Sequence, residues 1–273
     1  MSQTPSPSEY RFDSHTDSSD MSNAKICIKN LSKSFGEKEV LKDVSLTIPQ
    51  SRSLVVIGGS GMGKSVLLKS ILGIVQPDSG EIEIDGVDIL SDRRAGDKKR
   101  RQIGMLFQGA ALFDSMRVWE NVSFRLTHGE GMKRREAKEL AVNALSKVGL
   151  NEDVGDLYPS EISGGMQKRV GLARAVAAKP EILFFDEPTT GLDPIMADVI
   201  NNLISEQVHR LGATAISITH DMASAMKIGD QIAMLHQGRI VWQGPPSTIN
   251  NSGNAMVDQF INGRADGPIA VDR

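Results

Sequence analysis

The 273-residue sequence has few of the residues that mark several common classes of protein. Cys27 is the single cysteine, which excludes an internal disulfide and a metal site built on cysteines and favours a reducing compartment. Aromatic residues make up only 4% of the chain, so no stacking platform for single-stranded nucleic acid is expected. A formal net charge of −3 predicts no global attraction to nucleic acid.

Long hydrophobic runs are also missing. No segment approaches the roughly 20 apolar residues that a membrane-spanning helix needs. The amino terminus lacks the apolar stretch of a secretory signal, so we expect a cytoplasmic protein whose membrane role, if any, comes through a partner. Residues 1–24 contain no Leu, Ile or Val and predict a disordered tail. The remaining chain, 40% hydrophobic overall, is sufficient for a substantial core.

A glycine-rich stretch at residues 58–65 is the feature around which the chain is organised. It follows a short apolar run at residues 54–57, precedes helix-compatible residues and fits the pattern G-x-x-x-x-G-K-[ST]. Glycines let backbone N–H groups turn inward as an anion nest, to which the following helix adds its positive end. The pattern predicts a phosphate-binding loop made of Gly58, Gly59, Ser60, Gly61, Met62, Gly63, Lys64 and Ser65, with the Lys64 ammonium on the phosphates and the Ser65 hydroxyl on Mg²⁺.

Alternating apolar residues around this loop predict half-buried strands near residues 26–31, 44–48 and 81–87, forming an antiparallel sheet. Phe35, between the first two, is either a solvent-facing ring on which a purine stacks or a core residue. A basic cluster at residues 93–101 is either solvated surface or a contact with lipid headgroups or a membrane partner. Apolar spacing predicts an amphipathic helix over residues 132–148, with Leu140 on its apolar face.

Polar side chains follow three apolar runs of the predicted sheet. Gln108 follows residues 103–107, Asp186 and Glu187 follow residues 181–185, and His220 follows residues 214–219. Strand ends of an open α/β sheet form its ligand crevice. Gln108 is therefore a candidate to reach Mg²⁺ or the attacking water, and Asp186 to hold Mg²⁺ through water. Glu187 is a candidate general base, and His220 a candidate for a hydrogen bond to the γ-phosphate. Taken singly, a strand-end amide and a lone histidine also fit structural roles.

Ser163, Gly164 and Gly165 precede another helical stretch. They place backbone N–H groups at a helix start, which indicates either a second anion site or a simple helix cap.

Together these motifs, in this order over residues 26–242, resemble the ATP-binding-cassette ATPases. The resemblance implies a P-loop α/β fold: a RecA-like core, an antiparallel β subdomain and a helical insertion near residues 109–165. The ATPase domain would span residues 25–244, followed by an extension at 245–273. ATP and Mg²⁺ are the implied cofactors. Cassettes of this family pair head to tail, so Ser163, Gly164 and Gly165 would cover ATP held by a second copy, and one copy alone would hydrolyse poorly.

Three segments narrow the resemblance to the ATPase subunits of Mla-type phospholipid-trafficking transporters: ISGGM at residues 162–166, the segment after Gln108, and QFINGRADGPIAV near the carboxyl end. This implies a membrane permease, an MCE-domain lipid-binding subunit, a small STAS-domain protein and a place on the cytoplasmic face of an inner membrane. Phospholipid would move between the inner and outer membranes. The carboxyl tail, residues 259–269, would contact the sister ATPase.

The sequence departs from the family pattern in its aromatic loop and in its signature, which reads ISGGM at residues 162–166. Phe35 replaces the usual tyrosine, which keeps the stacking ring but loses its hydroxyl, and Met166 replaces the glutamine of the common LSGGQ signature. The stretch DEPTTGLDP is generic to cassettes. Two alternatives therefore stay open: a cassette that imports another solute, such as an amino acid, and a soluble cassette acting in translation or DNA repair.

Overall fold

The computed structural model describes residues 23–270; positions 1–22 of the predicted tail lie outside the described residues. Within this part of the chain the strands are β1 (Ala24–Phe35), β2 (Lys38–Pro49), β3 (Ser53–Ile57), β4 (Ser79–Ile84), β5 (Val87–Asp88), β6 (Ile103–Leu106), β7 (Ile182–Asp186), β8 (Thr214–Thr219), β9 (Gln231–His236) and β10 (Arg239–Gly244). The α-helices are α1 (Lys64–Ile71), α2 (Arg93–Arg100), α3 (Val118–Phe124), α4 (Arg134–Ser146), α5 (Gly164–Ala177), α6 (Pro194–Leu211), α7 (Met222–Ile228) and α8 (Ala255–Ile261).

The predicted antiparallel sheet is present, with strand order β2-β1-β4-β5. Ile26 of β1 lies opposite Ile48 of β2 and Ile84 of β4, so the apolar alternation places isoleucines on one buried face. Asp85 and Gly86 form the tight turn between β4 and β5, both with positive φ.

An ion-pair cluster joins this sheet to the remainder of the fold. The buried ammonium of Lys25 lies 2.8 Å from Asp85 and 2.5 Å from Glu181, which precedes β7. Lys99 of α2, within the basic cluster, lies 2.6 Å from Asp85 as well.

The second sheet has six strands in the order β10-β9-β3-β8-β7-β6. All neighbours are parallel except β10 and β9, which form a hairpin around Gln237 and Gly238. Every residue of β3 is buried, because helices cover one face and α1 with the antiparallel sheet covers the other. Parallel strands therefore bring the carboxyl ends of β3, β6, β7 and β8 to one edge, where the candidate residues lie.

A helical insertion separates β6 from α5, as the family resemblance implied. Its helices α3 and α4 pack on α5 through a shared core that includes Trp119, Val122, Ala141, Leu145 and Val170. The expected helix over residues 132–148 is α4, two residues shorter at each end. Leu140 was wrongly placed on its apolar face: the side chain is 38% exposed, because the packed stripe runs through Ala137, Ala141 and Ala144 instead.

After β10 the chain forms a 3-10 turn and α8. The side-chain amide of Gln259 on α8 donates to the carbonyls of Arg264 (3.2 Å) and Ile269 (3.1 Å), and it accepts from the Ile269 N–H (2.7 Å). The described tail thus folds back on its own helix. No helix in residues 23–270 is both long and apolar enough to cross a membrane.

Candidate functional site

The glycine-rich loop connects β3 to α1, and two of its glycines have no room for a side chain. A Cβ on Gly58 would lie 2.2 Å from the carbonyl oxygen of Leu235, and one on Gly63 would lie 2.8 Å from that of Val40. Both residues also have positive φ, +150° and +104°, which side chains disfavour. The loop therefore approaches the backbones of β9 and β2 closely, and this contact fixes its shape.

Lys64 begins α1 and is buried, while its neighbour Ser65 is exposed at the first turn of the helix. The Lys64 ammonium donates to the carbonyl oxygens of Gly58 (2.6 Å) and Gly59 (2.9 Å), so it lies across the loop. Burial lowers the pKa of Lys64, while the negative charges of Glu187 and Asp186 act in the opposite direction. The loop thus holds a cation that lacks full compensation and is suited to an anionic ligand.

Glu187 follows β7 and is held on three sides. Its Oε2 lies 2.9 Å from Nδ1 of His220 and accepts hydrogen bonds from the hydroxyls of Thr190 (3.1 Å) and Thr219 (3.4 Å). Its backbone is in the left-handed region, with φ of 47°. Such a conformation in a residue with a side chain occurs where surrounding structure imposes it. The site therefore fixes one carboxylate, mostly buried, beside a more exposed imidazole.

Asp186 is half-buried at the end of β7. Burial, and then the negative charge of Glu187, raise the pKa of Asp186; Lys69, Lys168 and Lys64 oppose this. A cation bound to the Asp186 carboxylate would offset the energetic cost of keeping this buried group ionised. Hydroxyl, amide and carboxylate oxygens of Ser65, Gln108 and Asp186 are the hard donors that Mg²⁺ prefers, so the residues present fit this metal.

Gln108 lies two residues after the end of β6, and the residue is exposed. Its backbone carbonyl accepts a hydrogen bond from the Lys168 ammonium on α5. The next residues, Ala110 and Ala111, both have positive φ, 59° and 47°, and Arg174 donates to their carbonyl oxygens. The loop after Gln108 is therefore held by two cations of a single helix.

Ser163 caps α5 by accepting a hydrogen bond from the Met166 N–H at 3.3 Å, so the simple cap is present. Ser163 and Gly164 are also exposed, and a Cβ on Gly164 would meet no atom within 4 Å. This start of α5 is therefore open at the surface of the chain, where a ligand could approach it.

Phe35 is not a core residue. Its ring is 51% exposed, and the Lys33 ammonium lies 5.3 Å from the ring centroid. Phe35 is the last residue of β1, which forms a hairpin with β2. Val40 of β2 lies close to Gly63 of the phosphate loop. The alternative of a solvent-facing ring therefore holds.

Three contributors to this site were not anticipated from the sequence: Thr190, Thr219 and Lys168. The two threonines lie three residues after Glu187 and at the last position of β8, where side chains of neighbouring strand ends converge. Lys168 shares a helix face with Gly171, Leu172 and Ala175 at spacings of three, four and seven. A lone lysine on an apolar face is the signal that would have found it.

Comparisons with known proteins agree with this geometry. The family model described as ABC transporter matches residues 41–190. The ATP-binding protein mkl of Mycobacterium bovis, named for ribonucleotide transport, is 40% identical over 245 residues, covering 89% of this chain and 68% of the relative. The chloroplastic protein TRIGALACTOSYLDIACYLGLYCEROL 3 of Arabidopsis thaliana is 40% identical over 261 residues, covering 88% and 74%.

A solved structure also superposes well on this chain. It is a dimeric ATP-binding cassette in a post-hydrolysis state with ADP and phosphate bound. The match has a TM-score of 0.74 and 31% identity, and it covers 81% of this chain and 98% of the other.

Proposed function

Since this chain belongs to the ABC transporter family and is its ATPase component, we propose that it powers a transporter that moves phospholipid between an inner and an outer membrane. The proposal has two parts. The chemistry of ATP hydrolysis is assigned to particular residues, and the cargo is assigned from sequence features and from one relative. Each part has its own support and its own test.

The observation that carries the catalytic assignment is the three-sided contact of Glu187 with His220, Thr190 and Thr219. A carboxylate held in one orientation at the sheet edge is suited to orient a water and accept its proton. The loop glycines and Lys64 bind the phosphates, and Phe35 offers its exposed ring to the base. Mg²⁺, held by Ser65, Gln108 and Asp186, would neutralise phosphate charge. His220 keeps the Glu187 carboxylate in place and reaches towards the γ-phosphate.

A second copy of this chain completes the site in our proposal. Ser163 and Gly164 are exposed at the start of α5, and Gly165 beside them is half-buried. In a head-to-tail dimer they would close over ATP held by the other copy. The dimeric neighbour with bound ADP and phosphate supports such pairing in this fold. ATP would then close the dimer and hydrolysis would open it.

Phospholipid as cargo is supported by the ISGGM signature, the segment after Gln108 and the tail, and by a relative whose name contains a galactolipid. The proposed partners are a membrane permease, an MCE-domain lipid-binding subunit and a small STAS-domain protein. The proposed place is the cytoplasmic face of the inner membrane, bound peripherally. Contact of the tail at residues 259–269 with a sister ATPase stays a proposal, since the described tail atoms contact their own α8.

The test is affinity purification of the full-length chain from detergent-solubilised membranes, followed by identification of proteins and lipids. We expect a permease and an MCE-domain protein in stoichiometric amounts. The purified complex, reconstituted between donor and acceptor vesicles, should transfer labelled phospholipid only when ATP is hydrolysed. Glu187→Gln serves as the matched control, because it is expected to assemble without turnover.

The alternatives predict different results in the same experiment. A permease with a solute-binding protein, and ATP-dependent uptake of an amino acid or a nucleotide, would support an importer; the mkl relative is named for such a solute. Recovery with ribosomes or DNA and no membrane protein would support a soluble cassette. Either result would reject phospholipid as the cargo and leave the ATPase assignment intact.

A further inference from the structure

Lys168 is a buried cation that the hydrolysis scheme above does not use. It lies on the second turn of α5 and its exposed fraction is 6%. Its ammonium donates to the carbonyl oxygen of Gln108 and lies 3.5 Å from that of Glu187. No carboxylate forms an ion pair with it in the part of the chain that the structure describes. A buried lysine whose ammonium contacts carbonyl oxygens and has no ion-paired carboxylate is costly to the fold, which favours a functional reason for it.

The two carbonyl groups that Lys168 contacts belong to important residues of the site. Gln108 is a proposed Mg²⁺ ligand, and Glu187 is the proposed general base. Glu187 has a left-handed backbone with its N–H bonded to the Ile218 carbonyl at 2.9 Å, so Lys168 completes the restraint of this peptide on its carbonyl side. The ammonium therefore fixes the distance between two strand ends, those of β6 and β7, at the edge where the phosphates bind.

Arg174, less than two helical turns further along α5, also donates to backbone carbonyls of the loop after Gln108. It is half-buried and donates to Ala110 at 2.5 Å and to Ala111 at 2.7 Å. Both alanines have left-handed backbones that are unfavourable without such support. The two cations of α5 thus hold three carbonyls of the loop after Gln108.

α5 begins within the signature segment, residues 162–166, because Ser163 is its N-terminal cap. Lys168 lies five residues after Ser163 on this helix. Burial lowers the pKa of Lys168, and the charges of Asp186 and Glu187 act in the opposite direction. The ammonium that contacts the carbonyl oxygens of Gln108 and Glu187 therefore lies on the same helix as the serine that would cover the partner's nucleotide, five residues away.

We propose that Lys168 is a positioning residue for ATP hydrolysis: its ammonium ties the loop after Gln108 and the backbone of Glu187 to α5, and so links the nucleotide site of one chain to its own signature segment. The inference rests on the ATPase assignment and not on the cargo, so it survives if phospholipid is rejected. Only the second half, the link to the signature, depends on the head-to-tail dimer.

The test compares Lys168→Met, which keeps length without charge, with Lys168→Arg, which restores a cation. Lys133→Met, an exposed lysine before α4, is the matched control. In the purified complex, we expect Lys168→Met to lower kcat by roughly 10- to 100-fold with ATP affinity within about twofold, since misplacement of catalytic groups affects turnover more than binding. Lys168→Arg should recover most of the turnover, and the control should match the wild type.

Hydrogen–deuterium exchange supplies a second measurement. With ATP bound, we expect residues 108–112 to be protected in the wild type and in Lys168→Arg, and to exchange faster in Lys168→Met. Wild-type kcat in Lys168→Met, or a Lys168→Arg variant as slow as Lys168→Met, would overturn the proposal. If Lys168→Met fails to fold, Lys168→Gln keeps an uncharged amide N–H donor and should give intermediate turnover; unchanged kcat in that variant would equally refute the proposal.

Discussion

Replacement of Glu187 by glutamine separates the structural role of this side chain from its chemical role. Glutamine keeps an acceptor oxygen for His220, Thr190 and Thr219, which contact Oε2 at 2.9, 3.1 and 3.4 Å. It removes the negative charge beside Asp186, and that charge is one cause of the raised pKa of Asp186. The loss of charge-assisted hydrogen bonds and the relief of repulsion act in opposite directions. We therefore expect the free energy of unfolding to change by no more than about 1 kcal/mol.

Turnover should respond very differently. A general base contributes roughly 10²–10⁴-fold, and a loss of about 10³-fold corresponds to about 4 kcal/mol in the activation free energy. Phosphate release by the reconstituted complex measures the turnover, and calorimetry measures ATP affinity, which should persist. Glu136→Gln, an exposed change on α4, is the control. Turnover of Glu187→Gln within a few-fold of the wild type would refute the assignment of the base.

Three further outcomes follow from the structure. Lys64→Ala should abolish ATP binding in calorimetry, because the ammonium that lies across the phosphate loop is lost; unchanged affinity would contradict the loop assignment. Gly104→Ala places a Cβ 2.1 Å from the carbonyl oxygen of Ala175, and urea denaturation should show a loss of about 1–3 kcal/mol; a variant as stable as the wild type would count against this packing. For Asp85, burial would raise the pKa, but hydrogen bonds from its two lysine partners outweigh it and hold the pKa below 3.8. A depressed carboxyl pKa contributes stability above the unfolded value that is lost as pH falls through the folded pKa. Asp85→Asn should thus cost about 1–3 kcal/mol at pH 7 and progressively less below pH 3.8 in thermal unfolding; a deficit that does not shrink in acid would be inconsistent with this pair.

Elements with a local signal were predictable from the sequence. The strands around Ile26, Ile48 and Ile84 follow a period of two, and the phosphate loop is fixed by the spacing of its glycines and Lys64. Such patterns depend on residues close in sequence, so they can be identified from the sequence alone. The convergence of Gln108, Asp186 and His220 after parallel strands followed from one topological rule.

Contacts between distant segments were not predictable in the same way. The hydroxyl of Thr219 reaches Glu187 across 32 positions, and Lys168 reaches Gln108 across 60. The predicted burial of Leu140 was wrong because the packing of α3 and α5 against α4 determines which narrow stripe of α4 is buried. The helical period of the sequence alone does not specify that stripe. The alternatives for Phe35 stayed open for the same reason: exposure depends on what packs nearby.

The complete burial of β3 restricts how this molecule moves. Leu54 and Val56 belong to one hydrophobic cluster, while Val55 and Ile57 belong to the other. A shift of this strand would disrupt both clusters at once, so the phosphate loop is anchored to a strand that is packed on both faces. Movement during an ATPase cycle is therefore expected in parts outside that anchor, such as α3 and α4 of the helical insertion, while the strand below the phosphates stays in place.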